Sequence, residues 1–302
     1  MRTDAAVRII MQRLLETMRA CEAGVLAGAD AEFLHNFRIA LRRNRSLLGQ
    51  IRGVMPQRNW QRLSHGFAWL SDITRSARDL DVYLLVLEAD KTRLTPAASD
   101  ALTPLREFFQ HRQQLAYQQL VACLNSPRYA KLIAAWAAYL ALPLPVHSKL
   151  PDAQRPLLVF ANQRIWRMLR RVIRQGNAIR ADSPPQALHE LRKSCKKLRY
   201  LMEFFRSLYP AAMMKQPLKV LKALQNQLGE CQDLQVQQAL LVTFQQSVTI
   251  DGSALQRTLA AVERMRCRLV KRETKRRKSF RQCFAAFVEA RQRKVFRQLF
   301  KP

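Results

Sequence analysis

The sequence is short of acidic residues and of glycine. It has 22 Asp and Glu against 52 Lys and Arg, a formal net charge of +30, and only 8 glycines in 302 residues. No glycine-rich phosphate loop and no alternating β-branched run is present, which argues against a P-loop and against a sheet. The most apolar run, at 132–146, is too short to span a bilayer and ends in prolines. The 6 cysteines form no CxxC pair, so we expect reduced thiols and no disulfides.

Helical periodicity fills almost the whole sequence. Hydrophobic residues make up 48% of the chain, enough for a sizeable core, and they recur every three to four positions. We therefore predict an all-α fold. The expected helices include 31–54, 184–208 and 254–300, with N-caps at Asp30 and at Ser183, which precedes Pro184. The N-terminus lacks a signal-peptide pattern, so we expect a soluble cytoplasmic protein without membrane association.

The chain repeats itself after 154 positions. An ungapped shift of that length places His189 on His35, Arg192 on Arg38 and Arg199 on Arg45. The same shift also aligns Leu188 with Leu34, Lys196 with Arg42, Lys197 with Arg43, Pro210 with Pro56, Asp233 with Asp79 and Val236 with Val82. We infer two homologous helical bundles, at 1–148 and 149–302, related by a pseudo-twofold axis or by a translation, the second ending in a long basic helix.

Each repeat contains a helix with one basic face. In "LHNFRIALRRNRSLL" at 34–48 and the residues that follow, one face carries His35, Arg38, Arg42, Arg45 and Arg52, and the opposite face is apolar. The second copy repeats this arrangement with His189, Arg192, Lys193, Lys196 and Arg199. Solvated helix faces usually mix charges of both signs, so rows almost without acids favour an anionic ligand. A solvated face remains the alternative.

The last predicted helix carries a second kind of basic strip. Five cations share one of its faces: Arg264, Arg268, Lys271, Lys275 and Lys278. A terminal basic segment of this kind is either a nucleic-acid-binding arm or part of a packed helix. Apolar residues recur between the cations at helical spacing, which favours the packed helix: Met265, Leu269, Phe280, Phe284 and Phe287.

Catalytic motifs are absent from the sequence. The best carboxylates lie in "RDLDV", with Asp79 and Asp81, but the second copy reads "QDLQV" and keeps only Asp233. An Asp beside Arg rows pairs with a cation more often than it binds a metal ion, and we expect no catalytic residue, metal or cofactor. We expect core packing, rather than base stacking, for Trp60, Trp69, Trp136 and Trp166.

The doubled pattern resembles the CHAD family, the conserved histidine α-helical domain. The residues that carry the resemblance are "LHNFRIALRRNRSLL" with "RDLDV", and "LHELRKSCKKLRYLMEFF" with "CQDLQV". The resemblance implies two pseudosymmetric four-helix bundles whose basic surface binds inorganic polyphosphate, association with polyphosphate granules, and ligand contacts that include Arg43 and Lys197. We expect the two basic helices and the terminal basic helix to line one continuous groove for the polymer. Two alternatives remain: a metal-dependent polyphosphate or triphosphate hydrolase, and a non-specific binder of RNA or DNA. The sequence does not indicate an oligomeric state.

Overall fold

The computed structural model describes residues 1–91, 95–180, 182–248 and 253–302. These residues confirm the all-α prediction, since the chain is 84% helical and contains no β-strand in the described ranges. The first six helices are α1 (Thr3–Leu26), α2 (Ala31–Leu48), α3 (Gln57–Lys91), α4 (Pro96–Asp100), α5 (Thr103–Leu124) and α6 (Pro127–Ala141). The others are α7 (Leu157–Asn177), α8 (Pro185–Phe204), α9 (Ala211–Ser247), α10 (Ser253–Phe287) and α11 (Ala290–Phe300).

The helices fall into two compact units. Unit 1 contains Met1–Arg155 and the beginning of α10 up to Ala261. Unit 2 runs from Pro156 through α9 and continues from Val262 to Pro302. The homologous halves at 1–148 and 149–302 were inferred from sequence identity and stay a prediction. In the part of the chain that the structure describes, no helix is both long enough and apolar enough to cross a membrane.

Unit 1 is built around α2 and α3. Helix α1 packs along α2, α2 packs on α3, and α5 and α6 complete the core against α3. Helix α2 begins where predicted, because the Asp30 side chain accepts a hydrogen bond from the Glu32 N–H at 2.8 Å and caps the helix. The apolar face of α2 is fully buried at Phe37, Leu41 and Leu47.

The predicted extension of α2 to residue 54 is wrong. The helix ends at Leu48, and two N–H groups beyond its end bond three residues back, Gln50 to Leu47 and Val54 to Ile51, both at 2.8 Å. These tight turns redirect the chain while Ile51 and Val54 stay buried, so the apolar pattern continues without the helix. Consequently Arg52 lies outside α2.

Unit 2 packs α8 against α7 and α9, and α11 against α7 and α9. Helix α8 begins at Pro185 with Pro184 as its N-cap, so the expectation of Ser183 as the cap is wrong. The Ser183 hydroxyl instead accepts a hydrogen bond from the Arg180 N–H at 2.8 Å and closes the preceding turn. Because proline lacks an N–H, Pro185 at the first helical position needs no capping partner.

The single predicted helix at 254–300 is two helices. Helix α10 ends at Phe287 and α11 begins at Ala290. In a straight helix Phe287 and Phe296 would be about 13 Å apart along the axis. The break brings their ring centroids to 5.5 Å. Burial of these aromatic rings therefore overrides a sequence that has neither Gly nor Pro at the junction.

Helix starts follow the sequence repeat. Helices α1 and α7 begin at Thr3 and Leu157, α2 and α8 at Ala31 and Pro185, and α3 and α9 at Gln57 and Ala211. Each pair is 154 positions apart, so the repeat extends from residue identity to helix boundaries. The six cysteines are free thiols, and four of them are buried, as expected for core residues, while Cys267 is exposed and Cys283 half-buried.

Candidate functional site: the two basic helices

In unit 1 the predicted basic face of α2 is graded from buried to exposed. Arg38 is only 8% exposed, whereas His35, Arg42 and Arg43 are half-buried and Arg45 is exposed. The sequence placed Arg38 on the polar face with the others. The structure turns its side chain between α2 and α3, so the face presents fewer fully solvated cations than expected.

Arg38 is anchored by the next helix. Its Nη1 donates hydrogen bonds to Thr74 Oγ1 at 2.7 Å and to the Ser71 carbonyl oxygen at 3.3 Å. Burial, followed by the repulsion from Arg42, lowers the pKa of Arg38 to about 10. The guanidinium stays charged at neutral pH, so unit 1 holds a permanent positive charge in a desolvated position.

Arg42 and Arg45 have no internal partner. Neither side chain makes a hydrogen bond or an ion pair with another residue in the described ranges, and the Nε of Arg42 is buried without an acceptor. A desolvated N–H without an acceptor is unfavourable unless a ligand supplies the missing oxygen. These two arginines therefore have the chemistry expected of anion contacts.

Helix α3 contributes cations that sequence reasoning did not select. Arg75 and Arg78 are close enough to Arg38 that their charges lower its pKa. Burial lowers the pKa of His35, and repulsion from Arg78 adds to that effect. The i,i+3 spacing in "RSAR" just before "DLDV" was the available signal, but the interpretation of that segment considered only its carboxylates.

The carboxylates of α3 lie among these cations. Asp81 is 3% exposed and accepts hydrogen bonds from Gln113 Nε2 at 2.7 Å and from the Tyr117 hydroxyl at 2.9 Å. Its Oδ2 is 4.0 Å from Arg78 Nη1. These contacts use both oxygens of Asp81 for cross-linking α3 to α5. In the described ranges no three His, Cys, Asp or Glu side chains come together in a way that would hold a metal ion.

In unit 2 the corresponding face of α8 is more neutralised. Lys193 pairs with Glu190 at 2.7 Å, and Arg199 lies 3.6 Å from Glu203. Partial desolvation raises the pKa of the Asp233 carboxyl, and the nearby charges of Arg192 and Lys196 partly offset that rise. Lys197 is half-buried.

The two histidines sit in different surroundings. His189 Nδ1 is hydrogen-bonded to Gln232 Oε1 on α9. At the equivalent position unit 1 has Arg78, because residue 232 is 154 positions after residue 78. His35 therefore faces a cation where His189 faces an amide. The repeat conserves the histidine, but its environment differs between the units.

The α10 strip is exposed as predicted. Its polar face presents Arg264, Arg268, Lys271 and Lys275 to solvent. Its apolar face is buried at Met265, Leu269, Phe280, Phe284 and Phe287, which confirms the packed helix rather than a free arm. Nearby acids serve internal contacts: Glu263 pairs with Arg266 at 2.7 Å, and Glu273 accepts hydrogen bonds from Gln235 and Gln238, each at 2.8 Å.

Only one tryptophan matches the expectation of core packing. Trp136 is fully buried and makes an edge contact with Phe67 at 4.8 Å between centroids. Trp60, Trp69 and Trp166 are half-buried at the surface. Helical periodicity predicted burial for all four and missed that an indole ring can lie at the edge of a basic face.

Comparisons with known proteins identify the family. A family model described as "CHAD domain" matches residues 9–242, which is well over half of the chain. The chain belongs to the CHAD domain family. The crystal structure of the CHAD domain from the plant Ricinus communis has a TM-score of 0.78 and 26% sequence identity, covering 96% of this chain and 93% of that one.

A second solved structure agrees in fold. PptA from Streptomyces chartreusis has a TM-score of 0.74 at 16% identity, covering 94% of this chain and 99% of that one. At that identity the likeness concerns the fold alone. No curated protein sequence matches the chain.

Proposed function

We propose that the protein binds inorganic polyphosphate without hydrolysing it, through the basic faces of α2 and α8 and the exposed strip of α10. The observation that carries the proposal is the α2 face, where Arg42 and Arg45 have no internal partner. The cations of α3 contribute less, because Arg75 pairs with Asp72 at 2.8 Å and Arg78 lies 4.0 Å from Asp81. A phosphate polymer supplies the missing acceptors and neutralises a row of cations at once.

Exchange of Arg for Lys between the repeats supports a ligand recognised by charge. Lys196 and Lys197 stand where the first copy has Arg42 and Arg43. Lysine keeps the charge of arginine but loses its planar, bidentate fork. A ligand that offers phosphate oxygens along its whole length tolerates this exchange, whereas a ligand read by a fixed hydrogen-bond pattern does not.

Binding, rather than hydrolysis, fits the positions of the carboxylates. Phosphoryl transfer needs a positioned nucleophile and usually metal ions held by clustered carboxylates. Asp81 is engaged by Gln113 and Tyr117, and Asp79 lies near the Arg38 guanidinium, whose pKa it raises. Within this proposal the protein is a cytoplasmic, non-enzymatic module that associates with polyphosphate granules.

Charge reversal on α2 tests the proposal. Arg42→Glu with Arg45→Glu replaces two attractions by two repulsions, and about 1–2 kcal/mol per site predicts at least ~30-fold weaker polyphosphate binding in moderate salt. The matched control is Arg13→Glu with Arg19→Glu, which reverses two exposed charges on α1. Both variants should keep the melting temperature of the parent within a few degrees. If the α2 variant folds and binds as tightly as the α1 control, the α2 face is only a solvated surface.

A further inference from the structure

Helix α7 carries a basic surface that the repeat does not explain. It contains five arginines and no acidic residue over Leu157–Asn177. Four of these arginines are exposed and make no hydrogen bond or ion pair with the rest of the described chain: Arg167, Arg170, Arg171 and Arg174. They cover about 10 Å along the helix axis. Arg171 is close enough to Glu190 of α8 to lower the pKa of that carboxyl, and the other three guanidinium groups lie within a short distance of one another without an ion-pair partner.

An aromatic ring borders these arginines. Trp166 lies on the same side of α7, and together they line an open concavity of 1020 Å³ that also includes Gln163 and Asn177. The Trp166 ring has no aromatic or cationic partner in the described ranges. The other two surface tryptophans are covered, since Arg52 lies 4.5 Å over the Trp60 ring and Arg128 lies 4.1 Å over Trp69.

This combination is specific to the second half of the sequence. At the matching positions of α1, Gln12 corresponds to Trp166 and Glu16 to Arg170. The α7 surface is thus absent from unit 1, in contrast to the basic faces of α2 and α8. A role shared by both repeats does not account for it.

We propose that the α7 surface binds single-stranded nucleic acid. The arginines supply backbone phosphate contacts, Trp166 offers a face on which an unpaired base stacks, and the Gln163 and Asn177 amides can donate to and accept from base edges. Polyphosphate has no apolar surface and makes no use of an indole ring. In a duplex the bases are stacked on one another, so the faces of the bases are not available for stacking on Trp166.

Removing the ring tests the stacking contact. Binding of a fluorescently labelled 12-nucleotide oligouridine to the full chain should weaken about 10-fold in Trp166→Ala, because base stacking on an aromatic side chain contributes ~1–3 kcal/mol per base. Trp166→Phe should restore most of the affinity. The control Trp69→Ala removes a tryptophan whose ring is already covered by Arg128 and should leave oligouridine binding unchanged.

Removing two charges tests the phosphate contacts independently of the ring. Arg170→Gln with Arg174→Gln should reduce the slope of log affinity against log salt by about 1.4, since each contact with a single strand contributes ~0.7. The control is Arg13→Gln with Arg19→Gln on α1. Melting temperatures of all variants show whether each remains folded, and the double glutamine variant keeps the test valid if Trp166→Ala does not fold.

These experiments distinguish failure of the nucleic-acid proposal from failure of the polyphosphate proposal. Oligouridine binding should survive the Arg42→Glu, Arg45→Glu reversal, and polyphosphate binding should survive Trp166→Ala. The proposal is overturned if folded Trp166→Ala binds oligouridine like the parent. It is equally overturned if Trp166→Ala weakens polyphosphate as much as oligouridine, or if a duplex of equal phosphate content binds the α7 surface as tightly as the single strand.

Discussion

Replacing Arg38 by methionine should separate its contribution to binding from its contribution to stability. The side chain is 8% exposed, and burial and neighbouring cations lower its pKa to about 10. That lowering corresponds to roughly 3 kcal/mol of unfavourable free energy for holding the charge inside the fold. Its hydrogen bonds to Thr74 and the Ser71 carbonyl return about 1.5–3 kcal/mol.

The two contributions nearly cancel, so Arg38→Met should change the free energy of unfolding by about 1 kcal/mol or less. Methionine fills the apolar part of the site, and the Thr74 hydroxyl keeps its own hydrogen bond to the Ser71 carbonyl at 3.3 Å. Polyphosphate affinity should nevertheless fall about 5- to 30-fold, because a desolvated charge next to Arg42 is lost.

Two measurements on one variant decide this reasoning: urea unfolding and polyphosphate titration. A loss of 3 kcal/mol or more in stability with unchanged affinity would show that Arg38 only ties α2 to α3. Arg38→Lys is the matched control, since it keeps the charge and should retain most of the affinity.

Three further predictions follow from individual contacts. Asp81→Asn should reduce stability by about 1–3 kcal/mol in urea unfolding, because it alters a buried acceptor with two partners. Neither the parent nor the variant should release orthophosphate from polyphosphate with Mg²⁺. Release by the parent that is lost in the variant would contradict a protein that only binds polyphosphate. The lowered pKa of His35 means that the unfolded state binds a proton at this residue more readily than the folded state, so stability should fall as the pH drops below about 6.5. The stability of the His35→Gln variant should fall less over the same pH range. Identical pH profiles of stability for the parent and the variant would refute this prediction. Gly176→Ala should lower stability by about 1–3 kcal/mol in thermal melting, since its Cβ would lie 2.0 Å from Phe284 Cε2. Gly229→Ala is the control and should keep the melting temperature of the parent, because its Cβ would lie 3.9 Å from the nearest neighbouring atom.

Periodicity and the repeat predicted most of the fold. The apolar face of α2, the Asp30 cap and the packed face of α10 are all local patterns of spacing, and the structure confirms them. The early end of α2 and the break after Phe287 could not be read in the same way. Both depend on where apolar side chains from other helices lie, and a 3.6-residue pattern carries no information about that.

The sequence predicted which residues lie on the basic face more accurately than it predicted how deeply each is buried and what it contacts. His35, Arg42 and Arg45 lie on the expected face, but burial of Arg38 depends on Ser71 and Thr74 of α3, which lie more than thirty positions away in sequence. The cations of α3 were not predicted, because this segment was interpreted only by its carboxylates and not by the arginines beside them. Whether the basic faces of α2, α8 and α10 form one continuous groove stays a prediction.

Competition between polyanions tests the central claim most directly. Labelled long-chain polyphosphate bound to the full chain at about 150 mM salt is challenged with duplex DNA, structured RNA and unlabelled polyphosphate at equal phosphate concentration. If the basic faces of α2, α8 and α10 are a polyphosphate site, only unlabelled polyphosphate displaces the probe efficiently, and the affinity falls steeply and linearly with log salt. Displacement by duplex DNA or RNA as effective as that by polyphosphate would contradict the account and assign these faces to general polyanion binding.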